Sequence, residues 1–452
     1  MTQETANPNS PLDFTVAFDN SRVEAADPGI RYMEVLVKAK PKADAETRPG
    51  LPLNIALVID RSGSMGMCEG GCHPRRVREP YEPIETRRRP ENKLETVKRA
   101  TLDILDRLTP ADRFALVTYD DDIAVPIPSG NIEDVDRARD IVQSLETGGC
   151  TNLGCGLEAG YEQVRCHAGD ASLNRVFLLS DGLANRGITS PRALQDMVAE
   201  AAGAGISLST FGVGLDFNET LMANLAEYGH GLYYFLERSA EIAPALAQEF
   251  LSAREVAARD VRAVINLDPS VVVERVFANR SVEEGGRVLL ELGDISSGEQ
   301  RRVLLRLKLP ERPAGDFAAG WVKLEWQAGS GGELFTETRE PTLEYGSFGA
   351  FLAETVNRAV AEQAEIFEAR YALFDAAQAR EEGRIMEARI MARHSRARLA
   401  RAAASSPVAR CELSAFDDYA NFLEKDNVSA DEARLRQKRV RFSRQNLKKE
   451  QW

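Results

Sequence analysis

The spacing of apolar positions changes several times along the chain, and each change predicts a different kind of element. From about Phe14 to Lys40, as in IRYMEVLVKAK, large apolar residues alternate with polar ones, the period of half-buried β-strands. The polar stretch PKADAETRPG breaks that pattern. Unbroken aliphatic runs follow: LNIALVI (53–59), RFALVTY (113–119), RVFLLS (175–180), ISLSTFGVG (206–214) and GLYYFL (231–236). Helical periods lie between them, in KLETVKRATLDILDRL, IEDVDRARDIVQSLE, LGCGLEAGYEQV, SPRALQDMVAEAAGAG and ETLMANLAEYG. Continuous apolar strands alternating with helices predict a doubly wound, mostly parallel sheet covered on both faces, over residues 51–252. Two prolines demote DDIAVPIPSG to a short edge strand.

Residues 253–346 return to short strands separated by Gly, Pro and Ser, the pattern of an antiparallel β-sandwich. The strands of residues 14–45 have the same style and are expected to join it, which makes the α/β domain an insertion within the sandwich. Residues 347–406 turn helical, with Leu352, Val356, Val360, Phe367, Tyr371 and Phe374 as one stripe and Gly383 as the turn of a helical hairpin. Residues 1–13 are expected to be flexible. Residues 407–452, with eight Lys and Arg between Arg434 and Lys449, are expected to be a loosely ordered basic tail.

A chain of 452 residues is too long for one ordinary domain. The net charge of −13 argues against nucleic acid as the partner of the whole chain, because phosphate binding needs a basic face. The basic tail leaves several readings open: contact with nucleic acid, contact with an anionic membrane, or a tail that is solvated or packs on this acidic protein. The opening MTQETANPNSPLDF lacks the basic and apolar regions of a secretory signal. No apolar run approaches the roughly 18 residues of a membrane span. The expectation is a soluble, cytoplasmic protein whose six cysteines are thiols or metal ligands rather than a disulfide scaffold.

In open α/β sheets ligands bind beyond the carboxyl ends of the strands. There the first strand ends in Asp60, followed by Ser62 and Ser64, and the loop TGGCTNLG places Thr151 before a helix. VFLLSDG ends in Asp181. Two carboxylates and three hydroxyls, with no Cys or His among them, suit a hard divalent cation, Mg²⁺ in particular.

The order D-x-S-x-S, a Thr in a Gly-rich loop and a strand ending in S-D-G resembles the metal-ion-dependent adhesion site of von Willebrand factor type A domains. The resemblance spans about residues 51–252 and extends to KLETVKRA and to LSTFGVGLDFNETLMANLAEYGHGLYYF. It implies that Ser62, Ser64 and Thr151 supply hydroxyl ligands, with Asp60 and Asp181 bound directly or through water. Mg²⁺, or Mn²⁺ or Ca²⁺ in its place, would leave one position for water or for an Asp or Glu of a partner protein. The wider layout is similar to bacterial proteins of the family and to inter-alpha-trypsin inhibitor heavy chains, where a β-sandwich accompanies the domain. In the bacterial group an ATPase, a kinase or a phosphatase is a common companion.

One segment departs from the family. Residues 67–92 carry Cys68, Cys72 and His73, together with six arginines and five glutamates. Cys150 and Cys155 flank Thr151 on a loop that the fold brings to the same face. A tetrahedral zinc site from Cys68, Cys72, Cys150 and Cys155, or with His73 replacing one of them, is one reading. Small packing side chains or a redox pair are the others. Cys166, eleven residues beyond Cys155 on the helix, belongs outside any such cluster. The arginines form either a solvated loop or a rim that recognises an acidic partner.

The leading expectation is therefore a metal-dependent protein-binding module, a scaffold or adaptor. A metal-dependent hydrolase and an extracellular or envelope adhesin are the alternatives. The sequence contains no G-x-S-x-G, G-x-x-x-x-G-K-[ST] or H-E-x-x-H motif, which argues against an enzyme.

Overall fold

The computed structural model describes residues 10–41, 51–67, 92–169, 172–278, 281–328, 333–404, 406–425 and 429–445. The chain forms two compact units, one spanning residues 47–256 and the other built from the segments on either side of it.

The flanking unit starts with strands β1 (Leu12–Phe18), β2 (Arg22–Glu24) and β3 (Ile30–Ala39). The inserted unit then follows as β4 (Leu53–Asp60), α1 (Lys93–Leu105), β5 (Arg113–Tyr119), β6 (Ile123–Gly130), α2 (Val135–Gln143), α3 (Leu153–Arg165) and β7 (Leu173–Ser180). It ends with α4 (Pro191–Gly203), β8 (Ile206–Val213), α5 (Glu219–Tyr228), β9 (His230–Leu236) and α6 (Ile242–Arg254). Its six strands are ordered β6-β5-β4-β7-β8-β9. All neighbours are parallel except β5 and β6, so DDIAVPIPSG is the antiparallel edge strand expected from its prolines. β4 and β7 are buried along their whole length, as continuous aliphatic runs at the centre of a doubly covered sheet must be.

Helix α3 lies close on this sheet because its inner face is glycine. A Cβ at Gly156 would sit 2.6 Å from the Tyr119 ring, and one at Gly160 would overlap Val58. LGCGLEAG is thus a packing surface as well as a loop exit.

After α6 the flanking unit resumes with β10 (Val256–Leu267), β11 (Val272–Phe277), β12 (Ser281–Glu284), β13 (Arg287–Ser296), β14 (Gln300–Lys308), β15 (Gly315–Ala318), β16 (Gly320–Ala328), β17 (Leu334–Arg339) and β18 (Thr342–Gly346). Two of its sheets have the orders β1-β3-β14-β11, antiparallel throughout, and β12-β13-β10-β16-β17, antiparallel at β12–β13, β10–β16 and β16–β17. One cluster draws Val35, Val37 and Leu305 from the first sheet and Ile265, Leu290 and Trp326 from the second. The early strands therefore do join the late ones across the insertion. The insertion ends slightly later than residue 252, since α6 runs on to Arg254.

The C-terminal helices are α7 (Arg358–Glu381), α8 (Ile385–Ala403), α9 (Pro407–Glu424) and α10 (Ala430–Gln445). Gly383, at φ +80°, makes the expected turn between the first two. Two expectations are corrected here. Leu352 and Val356 are not part of the helical stripe, because Asn357 caps α7 and the Leu352 carbonyl accepts instead from the Asn20 amide. Residues 407–452 are not a loose tail as far as they are described. Ser406 caps α9 with Pro407 at its first position, and Phe416, Tyr419, Phe422, Leu423 and Val440 share a core with α7 and α8. The arginines of α10 meet acids of this bundle, as in the 3.2 Å pair Arg441–Glu381. A hairpin with a tail is thus a four-helix assembly. No described helix is long and apolar enough to cross a membrane.

Candidate metal centre

Because β4, β5 and β7 are adjacent and parallel, their carboxyl ends emerge together at one edge of the sheet. Asp60 is the last residue of β4, Tyr119 the last of β5, and Asp181 follows β7 directly. Both carboxylates are fully buried. Beyond Asp60 the chain folds back at once, with the Ser62 amide donating to Asp60 Oδ1 at 2.8 Å and a short helical turn over Gly63–Gly66. That turn holds the Ser62 and Ser64 hydroxyls 3.1 Å apart, and Ser64 Oγ donates to Asp181 Oδ1 at 2.7 Å.

Thr151 arrives from the loop before α3. Its amide donates to Asn185 Oδ1 at 3.0 Å, and the Asn185 amide returns a bond to the Thr151 carbonyl at 3.2 Å. A Cβ at Gly182 would lie 3.0 Å from Thr151 Oγ1, so this hydroxyl faces the backbone just past Asp181. The five residues expected from the sequence therefore converge.

The loops are tied to one another by their own backbones. Gly148 donates to the Arg61 carbonyl at 2.6 Å and Gly63 to the Gly149 carbonyl at 3.1 Å. The Arg61 guanidinium pairs with Asp120 at 3.2 Å, and the Asp120 carboxylate lies flat against Gly148, where any Cβ would overlap it. Small residues in TGG are required by this close approach, which ties the loop carrying Thr151 to the turn after Asp60.

Electrostatics make the site demanding. Burial, then the charge of Asp181, push the Asp60 carboxyl up to about 6, against hydrogen bonds from Ser62 and Ser180 that lower it. Asp181 Oδ2 meets the Lys93 ammonium at 2.6 Å. Two buried carboxylates facing three hydroxyls form an all-oxygen set that a hard dication stabilises, so the residues present fit a divalent metal. Asp60, Ser62, Ser64, Thr151 and Asp181 are the residues that would hold it. The metal would supply an electropositive centre there.

The sequence pattern passed over Ser180, Lys93 and the Arg61–Asp120 pair. Ser180 stands immediately before Asp181, and Lys93 opens KLETVKRA, but only the folded chain brings them to the carboxylates.

Of the residues weighed for zinc, Cys68, Cys72 and His73 lie outside the described residues. Cys150 and Cys155 are partly exposed beside Thr151, and a Cβ at Gly187 would lie 3.0 Å from Cys155 Sγ. Among the described residues no group of three or more His, Cys, Asp and Glu side chains is placed to hold a metal. Cys166 is exposed at the far end of α3, away from the other two as its spacing predicts.

Comparison with known proteins agrees with this geometry. Residues 54–249 match the sequence model of the von Willebrand factor type A domain. Residues 54–249, somewhat less than half of the chain, thus form a von Willebrand factor type A domain, of a family of metal-dependent protein-interaction modules. It is 30% identical to protein YfbK of Escherichia coli over 253 residues, 51% of this chain and 44% of that protein. It is 24% identical to protein sll0103 of Synechocystis, over 71% of this chain and 72% of that one. Human inter-alpha-trypsin inhibitor heavy chain H4 is 29% identical over 51% of this chain, which spans only 23% of its length. The chain thus spans less than half of two of these relatives. Among solved structures, a von Willebrand factor type A protein from Catenulispora acidiphila shares the fold over 99% of both chains, with a TM-score of 0.70 at 15% identity. The ArnB paralog VWA2 from Sulfolobus acidocaldarius does so over 97% of this chain, with a TM-score of 0.58 at 14% identity.

Proposed function

We propose that this protein is a cytoplasmic scaffold or adaptor that binds a partner protein through a divalent metal, with Mg²⁺ as the ion and an Asp or Glu of the partner as its sixth ligand. The observation that carries this reading is the pair of fully buried carboxylates with Ser62 and Ser64 between them: the Ser62 amide donates to Asp60, the two serine hydroxyls touch, and Ser64 Oγ donates to Asp181. The same geometry favours binding over nucleophilic chemistry. The two serine hydroxyls are engaged with each other and with Asp181 rather than with a histidine base, as a serine nucleophile requires.

Titration calorimetry with Mg²⁺, Mn²⁺ and Ca²⁺ tests the site, and Asp60→Ala should abolish the binding. Capture on the immobilised full chain, in Mg²⁺ and in EDTA, tests the mode of recognition. A set of captured proteins that is the same in both buffers and with Asp60→Ala would overturn the metal-bridged reading.

A further inference from the structure

The metal site contains its own cation. Lys93 Nζ lies 2.6 Å from Asp181 Oδ2, with the carboxylate fully buried and the lysine side chain 16% exposed. Asp60 has a different environment, since its two oxygens accept from the neutral donors Ser62 N and Ser180 Oγ. Among the described residues, the charges in contact around Asp60 and Asp181 are therefore these two carboxylates and one ammonium.

The position of Lys93 in its own element is unfavourable. It is the first residue of α1, where the positive end of the helix dipole disfavours a cation. The acid of that first turn, Glu95, pairs at 2.8 Å with Lys98 and not with Lys93. Local helix chemistry gives no reason for a lysine here; the contact with Asp181 does. Gly214, at φ +77°, runs past the ammonium, and a Cβ there would lie 3.4 Å from Nζ.

We propose that Lys93 is an internal competitor of the divalent ion for Asp181, and that it sets how tightly the site takes metal. The inference rests on the metal-binding reading given above. In a buried, weakly screened place an ammonium and a dication on the same carboxylate repel each other. Metal entry therefore has to weaken or break the Lys93–Asp181 pair. The pair keeps the empty carboxylate compensated and lowers metal affinity at the same time. A lysine that merely fastens α1 to the loop after β7 has no such opposing effect.

The sign of the effect makes the test decisive. Mg²⁺ and Mn²⁺ are titrated calorimetrically into the chelator-treated full chain, as wild type, Lys93→Met, Lys93→Gln, Lys93→Arg and Asp60→Ala. Lys93→Met and Lys93→Gln should bind about tenfold tighter or more, and Lys93→Arg, which keeps the charge, should return to within about threefold of wild type. In chelator the two neutral variants should melt below wild type, and saturating Mg²⁺ should close that gap. Neutral variants that bind no tighter than a binding wild type would overturn this proposal alone. Absence of binding by wild type and every variant would overturn the metal reading and this proposal together. Binding by the neutral variants only would support both.

Discussion

Ser180 donates its hydroxyl to Asp60 Oδ2 across 2.8 Å, from β7 to the neighbouring strand β4. The bond ties a candidate metal ligand on one strand to the end of the next strand. It partly compensates a carboxylate that burial disfavours. Ser180→Ala should therefore destabilise the metal-free α/β unit by about 1–3 kcal/mol, the usual effect of leaving a buried acceptor without its donor. Saturating Mg²⁺ should shrink the difference, because the ion then compensates Asp60. Urea unfolding with and without Mg²⁺ checks this, and equal losses in both would show that the bond acts independently of the site.

Gly148 has no freedom to acquire a side chain, because the Asp120 carboxylate occupies the place of its Cβ. In Gly148→Ala that carboxylate must move and its pairing with Arg61 is disturbed, at a cost of about 1–3 kcal/mol. The loop carrying Thr151 should shift with it. Metal affinity measured by calorimetry should fall about tenfold, since 1.4 kcal/mol is one decade. An unchanged affinity would mean that this clamp does not position Thr151.

Asp112 accepts from the Leu53 amide at 2.8 Å, the Thr109 amide at 2.7 Å and the Arg254 guanidinium at 2.6 Å. Burial raises its pKa, but bonds from Thr109, Leu53 and Arg254 outweigh that and hold it below the ordinary 3.8. A carboxyl lowered by folding stabilises the protein above its unfolded value and loses that contribution as pH falls through the folded one. Asp112→Asn should cost about 1.5–3 kcal/mol at neutral pH, and the gap to wild type should close below about pH 4. Unfolding curves from pH 7 to pH 3 follow this, and a gap that stays constant would place the effect in packing alone.

Phe422 is buried in the helical assembly beneath the Arg380 guanidinium, 4.5 Å from its ring centre. Phe422→Ala should cost about 3–5 kcal/mol there. The two units of the chain need not respond together. Hydrogen exchange should therefore accelerate across α7, α8 and α9 while the amides of β4 and β7 keep their protection. Uniform acceleration over both units would contradict that independence.

The α/β unit was legible because each local signal agreed with the global fold. Unbroken aliphatic runs can be buried only in a doubly covered sheet, and prolines at 126 and 128 exclude all but an edge. The C-terminal helices were less legible because α10 is dominated by Arg and Lys, and a core contribution as small as Val440 leaves no periodic stripe. Leu352 and Val356 misled for the opposite reason. They fit the spacing, yet the helix begins only after them, at its Asn357 cap, and the Leu352 carbonyl is taken up by Asn20.

The sequence by itself determined the order of elements in the α/β unit, and the candidate ligand types with the strand ends that carry them, because those depend on local period and side-chain chemistry. Only the tertiary structure decided what surrounds Asp60 and Asp181. Ser180, Arg61, Gly148 and Lys93 act through contacts with residues far away in the chain or on other strands. A carboxylate's charge balance is set by whatever folding brings within a few ångströms, and sequence distance does not record it.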